Sequence, residues 1–365
     1  MADKEQANTD DQIRELRRAI DALDEELLRL LNERFALTRK IGRRKAETGS
    51  GIVDKARETA MIEALVEKNR GGMDADMVRR IFADIIAVGR QAQAARTISY
   101  LGPEATFTHA AAQGYFGAFD RYWPQASIKD VFDEVEKGSS DYGVVPVENS
   151  IEGAVNHTLD LFPESSLHIC AEIYLAISHD LLSVSGRIDA IQRIYSHPQT
   201  FAQCRKWLQM NLPDAERIEC GSNAQAAARA LADTDSAAIA GSQAARFYDL
   251  SVVAPRIQDF VRNTTRFLVI GRDKIPPTGE DKTSIMFVTA HIPGALFAAL
   301  EPLSQAGINM LKLESRPAKY ENWSYVFFVD IEGHIEEEAV REALGRMKTV
   351  CQFLKVIGSY PMAPQ

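Results

Sequence analysis

Apolar side chains recur at every third or fourth position near the start of the chain. Residues 11–45 contain a single glycine, Gly42, and are otherwise rich in good helix formers. This spacing places the apolar positions on one face of a single long helix of about 50 Å. These positions are Leu16, Ile20, Leu23, Leu27, Leu30 and Leu31. Two shorter helices are predicted near 54–69 and 74–95, with Gly71-Gly72 as the break.

A helix of that length is too long to be covered by the rest of a compact segment of about 95 residues. Two such helices from two chains would cover each other's apolar faces. We therefore expect a homodimer, and the pattern leaves open whether it assembles further into a dimer of dimers.

From Ile98 onwards, short apolar runs alternate with helical stretches. This alternation indicates an α/β domain built on a largely parallel sheet. Two clusters of such elements fit two lobes that flank a cleft, a common place for a small-molecule site. The predicted strands are 98–101, 142–147, 169–177, 193–195, 237–240 and 266–270, and the predicted helices include 127–136, 199–210 and 224–232.

A third pattern follows a polar linker at residues 273–282, which contains Pro276-Pro277 and Gly279. Its apolar runs predict a strand, a helix, two strands, a helix and a final strand. This βαββαβ order is that of the ferredoxin-like fold, which hosts many functions and by itself names none. The changes of pattern divide the chain into segments 1–96, 97–273 and 282–362.

Composition excludes several classes of protein. The 365 residues carry a formal net charge of −9, which argues against a general nucleic-acid binder. Apolar runs stay below the roughly 18 residues needed to cross a bilayer, and the polar first residues lack the apolar stretch of a signal peptide. The four cysteines form no CxxC pair, so they indicate neither a zinc site nor a disulfide framework. We therefore expect a cytoplasmic protein that holds no metal and binds neither nucleic acid nor membrane.

Two cations lie on the apolar face of the long helix. Continuing that face by helical spacing leads to Arg34 and then to Lys45. One interpretation is that both side chains extend to water along their aliphatic stems. The other is a buried anion pocket between helices, because a buried charge needs a partner. Asp54, Arg57 and Glu58 form a second polar cluster, which a solvated helix end would also explain.

These residues carry a resemblance to a known family. The chain resembles the all-helical chorismate mutase family over almost all of residues 10–95. The matching motifs are LRRAIDALD at 16–24, Glu33-Arg34, Lys45 and Asp54-x-x-Arg57-Glu58. The resemblance implies a helical mutase domain with its active site formed by Arg17, Arg34, Lys45, Asp54, Arg57, Glu58 and Gln93. It also implies that Arg17 reaches into the site of the partner subunit.

The reaction of that family suits these residue types. Chorismate carries two carboxylates and rearranges to prephenate in one concerted step, which requires no cofactor, nucleophile or proton shuttle. By the resemblance, Arg17 and Arg34 bind carboxylates, with Arg57 assisting in positioning. Lys45 and Gln93 face the ether oxygen, on which negative charge grows as the bond breaks.

Two carboxylates of the motif have orienting roles by the same resemblance. Glu58 accepts a hydrogen bond from a substrate hydroxyl, and Asp54 orients that hydroxyl together with Lys45. One position departs from the family pattern. Gly89 stands where a serine is common, so we expect one polar contact to be absent.

Three polar clusters in the second segment lie at the ends of apolar runs. Each by itself would also suit a turn or a helix cap. They are Glu148-Asn149-Ser150, Ser196-His197-Pro198-Gln199 and Asn263-Thr264-Thr265-Arg266-Phe267. The sequence contains no GxGxxG, Walker or GxSxG motif, and its seven histidines show no metal-ligand spacing.

Together with GPEATF at 102–107, these clusters resemble prephenate dehydratase over residues 98–272. The resemblance implies a two-lobed α/β domain of the periplasmic-binding-protein type. It places five residues around prephenate, namely Asn149, Ser196, Gln203, Thr265 and Arg266. Prephenate loses carbon dioxide and hydroxide together as its ring becomes aromatic, so a general acid near the leaving hydroxyl is the main requirement.

The expected roles follow from that chemistry. Thr265 is the candidate for hydrogen bonding or protonating the leaving hydroxyl, directly or through a relay. Arg266 is expected to hold a carboxylate bidentately. Asn149, Ser196 and Gln203 are expected to orient the ring and the side chain.

Two nearby positions have other interpretations. Glu148 is interpreted as structural. Ala105 stands where glycine is usual in the first motif, and a loop that needs a positive φ there would be affected.

The third segment carries two motifs of a regulatory domain. Pro293-Gly294-Ala295-Leu296 opens a predicted helix, whose N-terminus attracts carboxylates, and Glu314-Ser315-Arg316-Pro317 ends a strand. They resemble the ACT domain of prephenate dehydratases, whose paired domains bind phenylalanine at their interface. The resemblance implies feedback inhibition by L-phenylalanine, with contacts from Gly294, Ala295, Leu296, Asn309, Glu314, Ser315 and Arg316.

Two other functions remain open on the sequence. The first is a non-catalytic sensor with the helical segment as dimeriser, although the cations Arg34 and Lys45 count against it. The second is a mutase fused to prephenate dehydrogenase, which needs a glycine-rich dinucleotide loop that the sequence lacks. The favoured prediction is a bifunctional enzyme of phenylalanine biosynthesis. It converts chorismate through prephenate to phenylpyruvate and uses no cofactor.

Overall fold

The computed structural model describes residues 2–48, 55–91, 96–117, 120–151, 153–154, 156–260, 262–317 and 325–363. The chain divides into two compact units. One comprises residues 1–95 with 117–120, and the other comprises residues 96–116 with 121–365. Within the described ranges, no helix is both long and apolar enough to cross a membrane.

The first unit is helical, as the apolar spacing predicts. Its helices are α1 (Ala2–Thr48), α2 (Lys55–Lys68) and α3 (Ala75–Gln91). Helices α2 and α3 pack side by side, and Arg79 of α3 donates to both carboxylate oxygens of Glu63 on α2 at 2.8 and 2.9 Å. Val78 and Ile86 on the inner face of α3 are buried.

Helix α1 is much longer than its neighbours. Its 47 residues span about 70 Å at the rise of an α-helix. In the single chain its apolar stripe is 48 to 69% exposed at Leu16, Ile20, Leu23, Leu27 and Leu30. The described part of one chain therefore leaves this face uncovered.

The second unit begins with an α/β region that spans residues 96–271. Its strands are β1 (Thr97–Leu101), β2 (Arg121–Gln125), β3 (Tyr142–Asn149), β4 (Gly153–Ala154), β5 (His168–Ala176), β6 (Asp180–Ser183), β7 (Arg193–Ser196), β8 (Glu216–Glu219), β9 (Ser236–Ala240), β10 (Ser251–Ala254) and β11 (Thr264–Gly271). Its helices are α4 (Phe107–Phe116), α5 (Ile128–Glu136), α6 (Asn156–Leu159), α7 (Pro198–Gln203), α8 (Arg205–Asn211), α9 (Asn223–Leu231) and α10 (Ser242–Tyr248).

These strands form two sheets, one for each lobe. The first has the order β2-β1-β3-β11-β5, with β4 paired to β3, and the second has the order β10-β6-β9-β7-β8. The prediction of a largely parallel arrangement was wrong, because β11 is antiparallel to both β3 and β5, and β6 is antiparallel to both β9 and β10. The chain leaves the first lobe after β5 and returns in β11, and this return reverses the strand direction.

Local sequence explains the start and the buried face of helix α5. Helix α5 begins at the N-cap Ser127, whose side chain accepts from the backbone N–H of Asp130, and it buries Ile128, Val131 and Val135 on one face. The single helix predicted over 199–210 is instead two helices, α7 and α8. Cys204 separates them, with a backbone outside the helical region at φ −110° and ψ 13°.

The C-terminal region has the predicted βαββαβ order. It comprises β12 (Asp281–Val288), α11 (Ala295–Gln305), β13 (Met310–Pro317), β14 (Tyr325–Glu332), α12 (Glu338–Val350) and β15 (Phe353–Pro361). The sheet order is β13-β14-β12-β15, with antiparallel neighbours throughout. Both helices contribute to the core under this sheet, where Leu303 of α11 and Leu344 of α12 are buried.

The C-terminal sheet packs closely on the first lobe. A Cβ atom at Gly358 of β15 would lie 2.5 Å from the carbonyl oxygen of Ile169 on β5, so only glycine fits there without displacement. Lys355 of the same strand donates to the carbonyl oxygens of Phe162 and Ser165 at 2.8 and 2.6 Å. This packing joins the C-terminal region and the first lobe within one compact unit.

Candidate functional site

Arg34 of α1 is turned towards the other helices of the first unit. Its side chain is half-buried, and the guanidinium donates to the carbonyl oxygen of Ile85 on α3 at 3.4 Å. Burial lowers the pKa of Arg34, while the carboxylate of Glu58 on α2 acts in the opposite direction. Arg34 and Glu58, predicted as site residues from separate helices, are therefore electrostatic neighbours.

Gly89 lies beside the same guanidinium. A Cβ atom at this position would lie 3.2 Å from Nη1 of Arg34 and 3.4 Å from the methyl group of Thr38. A serine there would press on the guanidinium unless Arg34 shifted by a few tenths of an ångström. The departure from the expected serine thus makes room for Arg34 in its present position.

The strongest polar constellation in the second unit lies where β3 ends and β11 begins. Thr265 and Asn149 are directly opposite each other in the strand register. Nδ2 of Asn149 donates to the hydroxyl oxygen of Thr265 and to Oδ1 of Asn263, both at 2.8 Å. Thr265 and Asn263 are 9% and 3% exposed, so this hydrogen-bonded group is largely shielded from solvent.

The group extends to Gln203 at the end of α7 and to His179, which precedes β6. Oε1 of Gln203 accepts from Nδ2 of Asn263 at 3.2 Å and is 2.9 Å from Nε2 of His179. An amide oxygen only accepts, so the proton of the neutral imidazole is on Nε2. Burial lowers the pKa of His179, and the hydrogen bond with Gln203 acts in the opposite direction.

Three of the predicted residues are therefore brought together: Asn149, Gln203 and Thr265. Asn263 and His179 join them, although the sequence interpretation did not assign either to the site. Asn263 belongs to the same polar cluster as Thr265, which was a usable signal. His179, between Ser178 and Asp180, belongs to none of the polar clusters that the sequence interpretation singled out, and only its tertiary contact with Gln203 reveals it.

Ser196 belongs to a separate polar group in the second lobe. It is fully buried at the end of β7, and its hydroxyl donates to Oδ1 of Asn223 at 3.2 Å and to the carbonyl oxygen of Ile239 at 3.3 Å. The same amide oxygen of Asn223 accepts from the hydroxyl of Thr200 at 3.1 Å. Asn223, at the start of α9, organises this group.

Arg266 was predicted to bind substrate, and the structure does not bring it to the Thr265 group. Successive side chains of a strand point to opposite faces, so Arg266 leaves β11 on the side away from Thr265. Its guanidinium is 2.9 Å from Glu172 on β5 and 2.7 Å from Asp330 on β14. Both carboxylates are buried with it, so Arg266 is part of an internal ion cluster rather than a substrate clamp.

Comparisons with known proteins identify the family of the chain. Family models of chorismate mutase type II, prephenate dehydratase and the ACT domain match residues 16–94, 98–275 and 283–348. The bifunctional chorismate mutase/prephenate dehydratase of Aquifex aeolicus is 47% identical over 357 residues, which are 97% of this chain and 99% of that protein. The protein of the same description from Pseudomonas aeruginosa is 44% identical over 97% of this chain and 98% of its own length. The chain belongs to the bifunctional chorismate mutase/prephenate dehydratase family.

Solved structures resemble about three quarters of the chain. The prephenate dehydratase from Arthrobacter aurescens in complex with L-Phe is 32% identical, with a TM-score of 0.68, and the match covers 73% of this chain and 90% of that one. GqqA, described as a novel type of quorum quenching acylase, is 27% identical with a TM-score of 0.68, over 74% of this chain and 98% of that one.

Family membership decides between the functions that the sequence left open. The chain is an enzyme with chorismate mutase and prephenate dehydratase activities, not a non-catalytic sensor. Its α/β segment matches the dehydratase, which excludes the mutase–dehydrogenase fusion. The ACT domain fits feedback regulation of phenylalanine biosynthesis.

The other predicted residues of the mutase domain are less fully described. Arg17 and Arg57 have exposed side chains in the single chain. Lys45 lies within α1, but its side chain is outside the described residues, as are Asp54 and Gln93. Their roles stay predictions.

The first motif of the dehydratase domain contains the unusual alanine. Ala105 adopts a positive φ of 61°, the region that favours glycine. Its backbone N–H donates to Nδ1 of His109 at 3.1 Å, and the ring of His109 stacks on Tyr100 at a centroid distance of 4.6 Å. The loop therefore needs the positive φ, and this chain forms it with alanine.

The predicted effector residues of the ACT domain fall into two groups. Gly294, with a φ of 79°, precedes α11, and Ala295 and Leu296 form the first turn of that helix. On β13, Arg316 donates to Oε1 of Glu314 at 2.6 and 2.8 Å. Ser315 lies between Glu314 and Arg316. Asn309 directly precedes β13, and its side-chain amide donates to the carboxylate of Glu332 at 3.0 Å. Arg316 also reaches Asp160 of the dehydratase domain at 3.3 Å.

Proposed function

We propose that the two reactions of this enzyme take place at two separate sites built from the residues described above. Chorismate rearranges to prephenate in the helical domain, and prephenate becomes phenylpyruvate in the α/β domain. The observation that carries the second assignment is the buried group of Thr265, Asn149, Asn263 and Gln203. It gathers amide and hydroxyl groups from three separate segments of the chain.

In the mutase site, Arg34 binds a carboxylate of chorismate. The inward direction of its guanidinium, beside Glu58, supports this role. Arg17 binds the other carboxylate, and Arg57 assists. Lys45 and Gln93 stabilise the negative charge that grows on the ether oxygen. Asp54 orients Lys45, and Glu58 accepts a substrate hydroxyl.

The mutase site is completed by a second copy of the chain. The exposed stripe of α1 supports a homodimer, because a continuous row of exposed leucine and isoleucine side chains is costly in water. Arg17 lies next to Leu16 of that stripe, which suits a residue that reaches into the partner's site. If two such dimers assembled further into a dimer of dimers, each would keep the same pairing of its two α1 helices.

In the dehydratase site, Thr265 donates a hydrogen bond to the leaving hydroxyl of prephenate. The bond from the ring to the carboxylate carbon breaks, carbon dioxide is released, and the electron pair of that bond enters the ring as the carbon–oxygen bond to the hydroxyl breaks. The hydroxide leaves as water with a proton that Thr265 delivers and regains from solvent. Asn149 holds the Thr265 oxygen as acceptor, so the hydroxyl hydrogen is directed elsewhere. Gln203 orients the substrate, and Ser196 supports the site from the second lobe through its hydrogen bond to Asn223. Arg266 has no place in this mechanism, because its guanidinium is engaged by two buried carboxylates.

The effector site lies on the ACT domain and takes L-phenylalanine. The start of α11 at Gly294, Ala295 and Leu296 suits a carboxylate. The acidic side chain of Glu314 suits an ammonium group, and Asn309, Ser315 and Arg316 complete the polar contacts.

We place the enzyme in the cytoplasm. In the described structure all four cysteines are unpaired, and Cys170, Cys204 and Cys220 are buried. Unpaired thiols are typical of a reducing compartment.

The proposal is tested by supplying purified protein with chorismate and no nicotinamide cofactor. Ultraviolet absorbance should show phenylpyruvate. Accumulation of prephenate alone would mean that the second site is inactive.

Separate substitutions then assign the two sites. Lys45→Ala should abolish the mutase and leave turnover of added prephenate intact, whereas Thr265→Ala should lower dehydratase activity by about 10²- to 10⁴-fold and spare the mutase. The matched controls are Lys40→Ala on the exposed side of α1 and Thr264→Ala beside Thr265 in β11. Equal loss of both activities in either variant would refute the assignment to separate sites.

A further inference from the structure

The strand pair that carries the dehydratase site has a second face. In the register of β3 with β11, Asn149 is opposite Thr265, and the preceding residue Glu148 is opposite Arg266. Since side chains alternate along a strand, the Asn149–Thr265 pair faces the substrate and the Glu148–Arg266 pair faces away. The second face is the one that contacts the ACT domain.

Arg266 anchors this face through a buried tetrad, which we define as Glu172, Arg266, Lys282 and Asp330. Lys282 lies 2.8 Å from Glu172, while Arg266 bridges Glu172 and Asp330. Their side chains are 1 to 10% exposed. The dehydratase domain supplies one cation and one anion, and so does the ACT domain. Two of its three ion pairs, Arg266–Asp330 and Lys282–Glu172, form only when the domains are docked, and a buried charge that lost its partner would be costly, which makes the tetrad a fixed attachment.

Glu148 makes a different kind of contact. Its carboxylate is 2.7 Å from Nζ of Lys312 on β13, and Lys312 is also 3.4 Å from Glu314. The side chains of Lys312 and Glu148 are 23% and 38% exposed, so this pair is far more accessible to water than the tetrad. A pair of this kind is weak enough to exchange partners.

Lys312 therefore stands between the effector motif and the back of the dehydratase site. Glu314 is shared by Lys312 and Arg316, and it belongs to the proposed phenylalanine site. An amino acid brings an ammonium group that competes with both cations for this carboxylate. If Lys312 moves closer to Glu314 or to Glu148, its contact with Glu148 changes. Glu148 is adjacent to Asn149 in β3, so the change reaches the dehydratase site.

We propose that the Lys312–Glu148 pair transmits phenylalanine binding to the dehydratase site. Lys312 and Glu148 are positioning residues: they touch no substrate, and they act by shifting β3 and with it the amide that holds Thr265. The proposal rests on the proposed function, because it assumes that phenylalanine binds at Glu314. The tetrad keeps β11 fixed, so movement of β3 changes the contact between Asn149 and Thr265. Inhibition requires phenylalanine to bind more tightly to the arrangement with the altered pair.

The test uses the full chain with three changes: Lys312→Met, Glu148→Gln and the two combined. Prephenate turnover is followed against phenylalanine concentration, and phenylalanine binding is measured separately by calorimetry. Each single variant should still bind phenylalanine, while the ratio of uninhibited to fully inhibited rate falls at least about fivefold, the lower end of the usual range of coupling between sites. The double variant should match the singles, because two residues of one link do not add.

Lys355→Met is the matched control. Lys355 also joins the ACT domain to the dehydratase domain, but it contacts the carbonyl oxygens of Phe162 and Ser165, which lie outside the β3–β11 pair. Its inhibition ratio should equal that of the unaltered chain. Loss of inhibition in this control to the same degree would mean that any weakening of domain docking suffices, and would overturn the link.

Other outcomes separate the link from the function on which it rests. If phenylalanine inhibits the unaltered chain and the variants to the same degree, the link alone is overturned. Loss of phenylalanine binding in Lys312→Met would make Lys312 part of the effector site and also overturns it. An unaltered chain that turns over prephenate without any response to phenylalanine overturns both the effector assignment and the link.

Discussion

Replacing Arg266 by methionine removes the cation that lies between two buried carboxylates. Glu172 keeps Lys282 at 2.8 Å, but among the residues that the structure describes Asp330 keeps only neutral contacts, such as the hydroxyl of Ser284. A buried charge that loses its counter-ion costs about 3–5 kcal/mol. Methionine has a similar length and fills most of the space, so the loss of packing adds little.

A second substitution tests this account. Asp330→Asn in the Arg266→Met background removes the uncompensated charge and leaves the Glu172–Lys282 pair intact. The double variant should therefore be more stable than Arg266→Met alone by about 1–3 kcal/mol, the usual range of coupling between contacting residues. If the two residues did not interact, Asp330→Asn would instead lower the stability of the Arg266→Met protein further.

Tryptophan fluorescence isolates the relevant unit. All three tryptophans, Trp123, Trp207 and Trp323, lie beyond residue 96, so their signal reports the unfolding of the second unit. With a urea dependence of about 3 kcal/mol per molar, the Arg266→Met midpoint should fall by about 1–1.7 M. Chorismate mutase activity of the same preparation should not change.

The competing interpretation makes the opposite prediction. If Arg266 held a carboxylate of prephenate, Arg266→Met would unfold at the midpoint of the unaltered chain and show a raised KM. That result, or a double variant whose losses are the sum of the two single losses, would refute the internal ion cluster as the role of Arg266.

Three further predictions concern stability, each read from the urea midpoint. Ala105→Gly should change the free energy of unfolding by less than about 0.5 kcal/mol. Glycine removes about 1–2 kcal/mol of backbone strain at the positive φ, but it raises the entropy of the unfolded chain and removes one buried methyl group. A gain above 1 kcal/mol would contradict this balance. Gly358→Ala should lower the free energy of unfolding by about 1–3 kcal/mol, because the added methyl group displaces β15 from Ile169. The control Gly345→Ala should raise it by about 0.5–1 kcal/mol, because Gly345 lies inside α12 with open space around it. Burial lowers the pKa of His109, so the unfolded chain binds its proton first and stability falls as pH drops below about 6.5, by up to about 1.4 kcal/mol per pH unit. His109→Gln should flatten that slope, and an unchanged slope would refute the assignment.

Several features follow from local sequence alone. The spacing of apolar side chains predicted the three helices of the mutase domain and the βαββαβ order of the ACT domain, because side-chain periodicity is a property of neighbouring residues. The polar clusters around Asn149 and Thr265 marked the end of β3 and the start of β11, respectively. The structure brings these two residues within hydrogen-bonding distance.

Some of what was missed was also present in the sequence. Thr265 and Arg266 are adjacent in a strand, so the alternation of side chains places them on opposite faces, and only one of them can face the substrate. Glu172 stands alone in the apolar run 169–177, which is the mark of a buried ion that needs a counter-ion. Neither signal names the partner.

The tertiary structure decided the rest. Local periodicity determines whether a segment is a strand and which of its faces is apolar, but not which strand lies beside it or in which direction. The return of β11 from the second lobe reversed part of the first sheet and set Glu148 opposite Arg266. Docking of the ACT sheet then supplied Asp330 and Lys312 as their counter-ions. These pairings depend on contacts between distant parts of the chain, and no short stretch of sequence specifies them.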